Sequence, residues 1–376
     1  MKRITAIGAV LATTLVSSVA YAETKLTAAT WLPPQLQIPT YLYTYWAERV
    51  EEYSNGSISI DLQLGSPLTT PAGSLQEIGD GIVDVSGHFA AYTPSDLPFS
   101  AAVEELGMIF TDSRAVIAAS ADFNVNDSRM QAEWAENGVV FGSAWASTPY
   151  ILFCNEPVTN LEQIKGANLR LPGRAAAEWA ASVGAVVVPL SSNEQYGALD
   201  TGTLTCTSTI PGDAFSRSLH EVALHATELP ITILWAGLGH GYNAQTWEKL
   251  TVDERKALLN AEADAMAAMV VEGMIFQDDE ARAKMKELGV TFHEPSEDLL
   301  ASIDAFRDQR LEGAAASVRD NFGISDPEGL LEDFLATVRE WEAKLADVPV
   351  EDVAAFANLI RTEIYGELDL SSYSLQ

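Results

Sequence analysis

The amino-acid sequence predicts an α/β protein built as two lobes, with a ligand cleft between them. A strand, helix, strand pattern typical of parallel sheets occupies residues 25 to about 90, and it restarts near residue 150. A helical pattern from Thr251 to Gly289 would be about 55 Å long at 1.5 Å per residue, which exceeds the width of one small domain. We therefore expect this long helix to connect the lobes or to bend where they meet.

The first lobe is predicted over residues 23–147. Its first strand is "KLTAATW", and the following helix places apolar residues on one face from Leu42 to Tyr53 before an Asn-Gly stop. The run "SISIDLQL" alternates apolar and polar residues as a half-buried strand does. A short helix from Ser74 then leads to a third strand in "IVDVSGHFA", and a helical segment ends near residue 138.

The second lobe is predicted over residues 148–235. Its strands are "YILFCN", "NLRLP", "AVVVPL" and "TLTCTST", separated by short helical stretches. We expect residues 236–275 to return to the first lobe, residues 276–340 to pack on the second, and residues 341–376 to form a helical extension. In such sheets the ligand cleft lies at the carboxyl ends of the strands.

The N-terminus has the pattern of a secretory signal peptide. A basic start with Lys2 and Arg3 precedes an apolar run and an A-x-A site that ends at Ala22. We expect residues 1–22 to be removed after Ala22, which leaves an exported chain that is not embedded in a membrane.

Composition excludes several classes of partner and site. The chain has 22 Lys and Arg against 53 Asp and Glu, a net charge of -31, so nucleic acid and anionic membrane surfaces are poor partners. Five scattered histidines and two cysteines give no metal-ligand spacing, and no motif predicts a cofactor. Cys154 and Cys206 either pair in an oxidising compartment or are two buried small residues.

Two segments of the predicted second lobe resemble a known family. They read "NLEQIKGANLRLPG" and "SVGAVVVPLSSNEQYGALDTGTLTCT", and the chain is similar here to the periplasmic solute-binding proteins of tripartite ATP-independent periplasmic (TRAP) transporters, of the dicarboxylate-binding type. The resemblance covers about residues 25 to 325. The matching positions are Gly166, Arg170, Pro172, Gly173, Gly184, Ala185, Pro189, Glu194, Tyr196, Ala198, Leu199 and Gly202.

The resemblance implies a two-lobed periplasmic binding protein clamp that closes on a small organic anion. It also implies delivery of the ligand to the small and large membrane permease subunits, and we expect the protein to be a monomer. Arg170 stands where the family forms a two-pronged salt bridge with the ligand carboxylate, a task that suits a planar guanidinium. By position alone, a surface ion pair would be the simpler interpretation of this arginine.

Departures from the family pattern bear on the ligand. A position near Thr209, at the end of the run Thr207, Ser208 and Thr209, often holds an asparagine in relatives, so a hydroxyl would replace an amide. Tyr150 stands where some relatives have a second arginine, and Ser192 replaces a bulkier residue. We therefore expect a monocarboxylate with hydroxyl or aromatic groups, such as a sugar acid. The other candidate ligand contacts are Trp31, His88, Phe89, Trp145 and Trp235.

Two alternative functions remain open at this point. A sensor subunit that presents a ligand to a receptor kinase would use the same clamp. A secreted hydrolase or lyase is the less favoured alternative, because no G-x-S-x-G or H-E-x-x-H motif occurs in the sequence.

Overall fold

Two separate mixed β-sheets organise the computed structural model of the protein, which describes residues 24–373. The predicted signal peptide, residues 1–22, lies outside this described part. The strands are β1 (Thr24–Thr30), β2 (Ile58–Leu64), β3 (Val85–Phe89), β4 (Val139–Ser143), β5 (Ile151–Cys154), β6 (Asn168–Arg170), β7 (Val186–Val187), β8 (Cys206–Thr209), β9 (His225–Thr227), β10 (Gly237–Asn243) and β11 (Thr291–His293).

Helices cover both sheets and form the whole C-terminal part. The α-helices are α1 (Trp46–Tyr53), α2 (Ser74–Gly79), α3 (Pro98–Glu104), α4 (Ser113–Asn126), α5 (Ser128–Glu136), α6 (Leu161–Ile164), α7 (Arg174–Ser182), α8 (Gln195–Asp200), α9 (Pro211–Ser216), α10 (Ala244–Lys249), α11 (Val252–Ala268), α12 (Gln277–Glu287), α13 (Glu297–Phe322), α14 (Pro327–Leu345) and α15 (Val353–Ile360). The π-helical segments are Pro39–Tyr45, Met269–Phe276 and Arg361–Tyr365.

The first sheet has the order β2-β1-β3-β10-β4. Strand β1 runs parallel to β2 and β3, as the strand, helix, strand pattern predicts. Strand β10 is antiparallel to both of its neighbours and was not expected, because its glycine-rich sequence lacks apolar alternation. Gly239 explains this composition, since a Cβ there would lie 2.3 Å from the Ala144 carbonyl oxygen.

The second sheet has the order β11-β9-β5-β8-β6-β7. Strand β6 is parallel to β7 and β8, whereas β5 is antiparallel to β8 and β9. Apolar side chains pack on both faces of this sheet. Cys154 and Cys206 are paired across β5 and β8 and form a disulfide, which decides between the two alternatives left open by the sequence.

The chain crosses between the lobes in two adjacent segments, residues 144–150 and 228–236. They are joined by backbone hydrogen bonds from Ser147 N to Leu234 O (2.9 Å) and from Tyr150 N to Thr232 O (2.8 Å). These paired segments form a narrow connection, and in a two-lobed protein such a connection is where hinge rotation is absorbed.

The long helix is a third connection between the lobes. Thr251 and Glu254 form the predicted capping box, and the helix ends just before Gly289, whose φ of 98° is left-handed. Helix α11 packs on α1 of the first lobe and α12 packs on α9 of the second. The π-helical segment Met269–Phe276 lies between them, so the helix does pass from lobe to lobe.

The C-terminal helices correct one prediction. Helix α13 packs on the second lobe near Leu299 and on the first lobe near Val318. Helix α14 then lies along α4 of the first lobe, so residues 276–340 do not all pack on the second lobe as predicted. The reason is the apolar face of α14, which joins the first lobe's core through Phe334 and Trp341. Within residues 24–373, no helix has the length and apolar composition needed to cross a membrane.

Candidate functional site

A cavity of about 440 Å³ lies between the two lobes. Strands β3, β6 and β8 each end at its wall, with Phe89, Arg170 and Thr209 as their last residues. Both crossing segments also line it, through Trp145 and Leu234 among others. The cavity therefore lies at the carboxyl ends of strands from both lobes, as the sequence predicts.

Arg170 is the buried cation of this cavity, with 6% of its surface exposed. Its Nε donates to the Leu190 carbonyl (3.1 Å) and its Nη1 to the Ser208 carbonyl (3.3 Å). A guanidinium has five N–H donors, so three remain for a ligand. None of the ion pairs found within residues 24–373 involves Arg170, and burial lowers its pKa from the usual 12.5. It remains a cation, because even a lowered arginine pKa lies far above neutrality.

Other polar groups surround this guanidinium. Tyr150, Tyr92, Arg217 and Asp213 all interact electrostatically with Arg170 and line the same cavity. Burial raises the pKa of the Tyr150 phenol above its usual range, and Asp213 adds to that effect, so the hydroxyl stays neutral. A neutral hydroxyl beside a cation can donate to an anion that the cation holds.

Arg217 is more fully engaged than Arg170. Its Nε lies 3.4 Å from Asp213 Oδ2, and its Nη1 donates to the Ser192 carbonyl (3.3 Å) and to Asn193 Oδ1 (3.1 Å). The charge of Arg217 is therefore largely balanced by a carboxylate of the protein itself.

An aromatic wall faces these polar groups. The rings of Phe89 and Trp145 lie 4.2 Å apart between centroids, and Tyr92 stacks on Phe89 at 6.2 Å. Leu36 and Met274 extend the apolar surface. Such a wall suits the carbon skeleton of a ligand, with the carboxylate at the opposite, cationic side.

Glu104, the last residue of α3, also lines the cavity. Its carboxyl group makes no hydrogen bond or ion pair with the residues that the structure describes, and burial raises its pKa to about 7. This acid is set in an otherwise apolar part of the wall, next to Leu234 and Gly173.

Six of the eleven predicted contacts line the cavity and five do not. The residues that line it are Phe89, Trp145, Tyr150, Arg170, Ser192 and Thr209. The residues outside it are Trp31, His88, Thr207, Ser208 and Trp235.

Thr207 and Ser208 of β8 do not line the cavity. Thr207 is buried, and its hydroxyl donates to Gln195 Oε1 at 2.7 Å. Successive side chains of a strand point to opposite faces, so Ser208 is directed away from the side that Thr209 occupies. Only the main chain of Ser208 takes part, because its carbonyl accepts from Arg170.

The other three residues outside the cavity, Trp31, His88 and Trp235, pack within the protein. His88 is buried between the hydroxyls of Ser74 (2.8 Å) and Thr93 (2.7 Å), and burial lowers its pKa to about 4. Trp31 packs behind the wall, edge-on to Phe89. Trp235 is fully buried at the crossing and stacks on Phe334 at 5.7 Å.

Several cavity residues were missed by sequence reasoning. Asp213 lies in α9, shortly after β8, and Arg217 follows one helical turn later. This spacing could have indicated an ion pair at the end of the strand. Tyr92 lies in the short turn after β3, and Gln195 supports Thr207 from α8. Glu104 had no signal, because one glutamate among 53 acids is not distinctive.

No metal centre is found in the described part of the chain. Residues 24–373 contain no group of three or more His, Cys, Asp or Glu side chains placed to hold a metal ion.

Comparison with known proteins assigns the fold and the cavity to a family. Residues 30–312 match the family described as bacterial extracellular solute-binding protein, family 7. The chain belongs to this family. It is accordingly a solute-binding protein of the TRAP type and not an enzyme.

A curated member of similar sequence comes from Rhodobacter capsulatus and is named C4-dicarboxylate-binding periplasmic protein DctP. It is 26% identical over 260 residues, which cover 66% of this chain and 73% of that protein.

Solved structures share the fold of this family 7 protein. A TRAP solute-binding protein from Bordetella bronchiseptica, with bound (R)- and (S)-mandelate, has a TM-score of 0.72 at 22% identity and covers 84% of this chain and 99% of its own. A marine metagenome TRAP protein specific for aromatic acid ligands, in complex with 3-hydroxybenzoate, has a TM-score of 0.75 at 21% identity, with coverage of 85% and 99%.

Proposed function

We propose that this protein captures a small monocarboxylate with aromatic or hydroxyl groups in the periplasm and delivers it to a TRAP permease in the membrane. Arg170 would bind the carboxylate, and Phe89 and Trp145 would pack against the carbon skeleton. Tyr150, Thr209 and Ser192 would supply hydroxyl contacts at the polar side of the cavity.

The observation that carries this proposal is the guanidinium of Arg170. It is buried in the cavity wall, fixed by two backbone carbonyls, and has no carboxylate partner in residues 24–373. A cation in this position would be unfavourable unless an anion balances it, since burial penalises an unpaired charge. A ligand carboxylate with two oxygens matches the remaining parallel N–H donors.

The balance of charge favours one carboxylate over two. Arg217, the second cation of the cavity, is already paired with Asp213. Glu104 would repel a second carboxylate at the apolar side. The proteins of known structure with bound mandelate or 3-hydroxybenzoate support an aromatic acid, whereas the Rhodobacter capsulatus relative is named for C4-dicarboxylates.

Capture would proceed by hinge closure. The cavity is enclosed by residues of both lobes, and the lobes are joined by the two crossing segments and the long helix. A ligand that contacts both lobes stabilises the closed form over the open one, because it gains its full set of contacts only when they meet.

The test of the proposal is binding by the mature protein and by Arg170→Ala, measured by isothermal titration calorimetry. The panel is mandelate, 3-hydroxybenzoate, glucuronate and succinate. We expect an aromatic or hydroxylated monocarboxylate to bind better than succinate, and Arg170→Ala to weaken it at least about tenfold, since a charge-assisted hydrogen bond contributes about 1.5 to 3 kcal/mol.

Two controls separate binding from folding. Arg319→Ala removes an exposed arginine that pairs with Glu328 and does not line the cavity, and it should leave affinity unchanged. Melting temperatures of all variants show whether they fold. Equal affinity of the wild type and Arg170→Ala would remove Arg170 from the site, and tighter binding of succinate would reject the monocarboxylate class.

A further inference from the structure

Glu104 lies at the junction of two cavities. It lines the ligand cavity and also a neighbouring cavity of about 260 Å³, and the two share Ala91, Pro172, Gly173 and Leu234 as common walls. A ligand held at Arg170 that reaches across the main cavity would meet Glu104 where this side space begins.

Neither arginine of the cavity affects the carboxyl group of Glu104. Burial alone accounts for its raised pKa of about 7, and neither Arg170 nor Arg217 contributes to it. Conversely, Glu104 is absent from the groups that influence Arg170, which are Tyr150, Tyr92, Arg217 and Asp213. Glu104 and Arg170 therefore line the same cavity without a direct electrostatic interaction between them.

The charged groups near Glu104 are already engaged with one another. Its neighbour Glu105 pairs with Arg174 of α7 and with Arg310 of α13. In the main cavity Asp213 pairs with Arg217, and Glu194 caps its own turn through Ser191. Arg174, Arg310 and Arg217 are thus paired with other carboxylates, and none of the ion pairs found within residues 24–373 involves Glu104.

The carboxyl of Glu104 lies beside the turn that follows Arg170. Its Oε1 lies 3.8 Å from the position that a Cβ would occupy on Gly173, the residue before the first turn of α7. Gly173 has a φ of 76°, a left-handed conformation that favours glycine, and the missing side chain leaves the carboxyl open to the cavity.

We propose that Glu104 determines specificity by accepting a hydrogen bond from a hydroxyl or N–H group at the end of the ligand remote from its carboxylate. The ligand class is thus a monocarboxylic acid with a distal hydrogen-bond donor, such as a ring-hydroxylated aromatic acid. This inference rests on the proposed function, since it takes the ligand to be an acid bound by Arg170.

A site of this kind rejects analogues that lack the donor. A buried polar group that loses its partner on binding is left unsatisfied, and sites built to hydrogen-bond a hydroxyl discriminate strongly against the analogue without it. An apolar wall alone would instead bind the analogue without the hydroxyl at least as well.

The proposal also predicts how affinity depends on pH. Above pH 7 Glu104 is increasingly ionised, and an acid without a distal donor then brings a second negative charge beside an unsatisfied carboxylate. Its affinity falls as pH rises through 7. An acid with the donor loses less affinity, because an ionised carboxylate is a stronger hydrogen-bond acceptor than a neutral carboxyl group.

The experiment compares wild type, Glu104→Gln and Glu104→Leu by calorimetry at pH 5.5 and 8.5. The probes are phenylacetate and its 2-, 3- and 4-hydroxy derivatives, which share one carboxylate and differ only in the donor. We expect at least one hydroxy isomer to bind the wild type about tenfold more tightly than phenylacetate at pH 8.5.

In Glu104→Leu this preference should fall to about twofold or less, while phenylacetate binding is kept or improved, since leucine fits the apolar wall. Glu104→Gln keeps the shape and an acceptor but does not titrate, so its phenylacetate affinity should not change between the two pH values. Melting temperatures confirm that each variant is folded.

Two outcomes would overturn the inference in different ways. If acids bind but the preference for the hydroxyl and the pH dependence of affinity are the same in wild type and both variants, Glu104 does not determine specificity. The proposed function would still stand. If the wild type binds none of these acids, the aromatic part of the proposed function fails and this inference fails with it.

Discussion

Two arginines face the ligand cavity, and their hydrogen bonds give them different roles. Arg170 uses two N–H groups on backbone carbonyls and keeps the rest free, whereas Arg217 is paired with Asp213 and donates to two oxygens near Ser192. Since an arginine with a protein partner has less to gain from a ligand, Arg170 should dominate the affinity.

Arg217→Gln tests this difference. We expect it to weaken acid binding by about twofold to fivefold, clearly less than Arg170→Ala, because most of its charge is balanced within the protein. Calorimetry with the same acid gives both numbers. A loss for Arg217→Gln that equals or exceeds the loss for Arg170→Ala would show that Arg217 is the main anion contact.

At the scale of single residues, the sequence predicted Arg170 better than it predicted the side chains around it. Arg170 was singled out because an ordered set of glycine, proline and arginine positions is specific to a family. Side-chain direction and hydrogen-bond partners were not available, so Thr207 and Ser208 were grouped with Thr209. Ser208 faces the opposite side of the strand, and the Thr207 hydroxyl is bonded to Gln195. Arg217 could have been predicted from the i, i+4 spacing with Asp213 after β8.

At the scale of the elements, Asp278 joins the parts that form the hinge. It lies in the first turn of α12, directly after the π-helical segment, and accepts hydrogen bonds from the Thr148 hydroxyl and from Gly212 N (2.7 Å). It therefore ties the long helix to a crossing segment and to α9. Burial outweighs these donors and raises its pKa from 3.8 to about 7.

This pKa predicts a loss of stability with rising pH. The folded state holds the proton up to about pH 7 and the unfolded state releases it near 3.8, so unfolding releases a proton between these values. The stability from this group is complete below the unfolded pKa of 3.8, is lost as pH rises from there to about 7, and falls by about 3 kcal/mol between pH 5 and 8.

Asp278→Asn removes the titration and keeps both contacts possible, because its amide oxygen can accept from Gly212 N while its NH2 group donates to the Thr148 hydroxyl oxygen. We expect the wild type to lose more stability than this variant between pH 5 and 8, measured by urea unfolding at each pH. Glu104 and Glu133 also have raised pKa values of about 7 and remain in both proteins, so only the difference reports on Asp278. Equal losses in the two proteins would contradict the assignment.

Elements with strong periodicity were predicted from the sequence, and those without it were not. The long helix was bounded by its capping box and by Gly289. Its π-helical segment Met269–Phe276 had no signature, because its mostly apolar sequence is also compatible with an α-helix. Strand β10 was missed because close backbone approach, not side-chain alternation, selects its glycines.

At the scale of the whole molecule, charged side chains connect the lobes on one side of the cavity. Glu105 follows α3 of the first lobe and is 3% exposed, and it pairs with Arg174 of α7 in the second lobe (2.6 Å). Arg310 of α13 also contacts Glu105, and both arginines contact Glu178. This group of ion pairs lies next to the turn that carries Arg170, so lobe closure and ligand contact involve adjacent residues.

Arg174→Gln tests whether the ion pair between the lobes contributes to closure. It removes that pair, while Arg310 still balances the buried Glu105. Arg174 is 35% exposed at its side chain, so the expected cost is modest, about a twofold to fivefold loss of ligand affinity. The unliganded variant should also have a larger radius of gyration by small-angle X-ray scattering, since the open form is favoured.

The control is Arg129→Gln, whose partners Asp127 and Asp333 both belong to the first-lobe side. Equal affinity and scattering for Arg174→Gln, Arg129→Gln and wild type would show that these ion pairs do not contribute to closure.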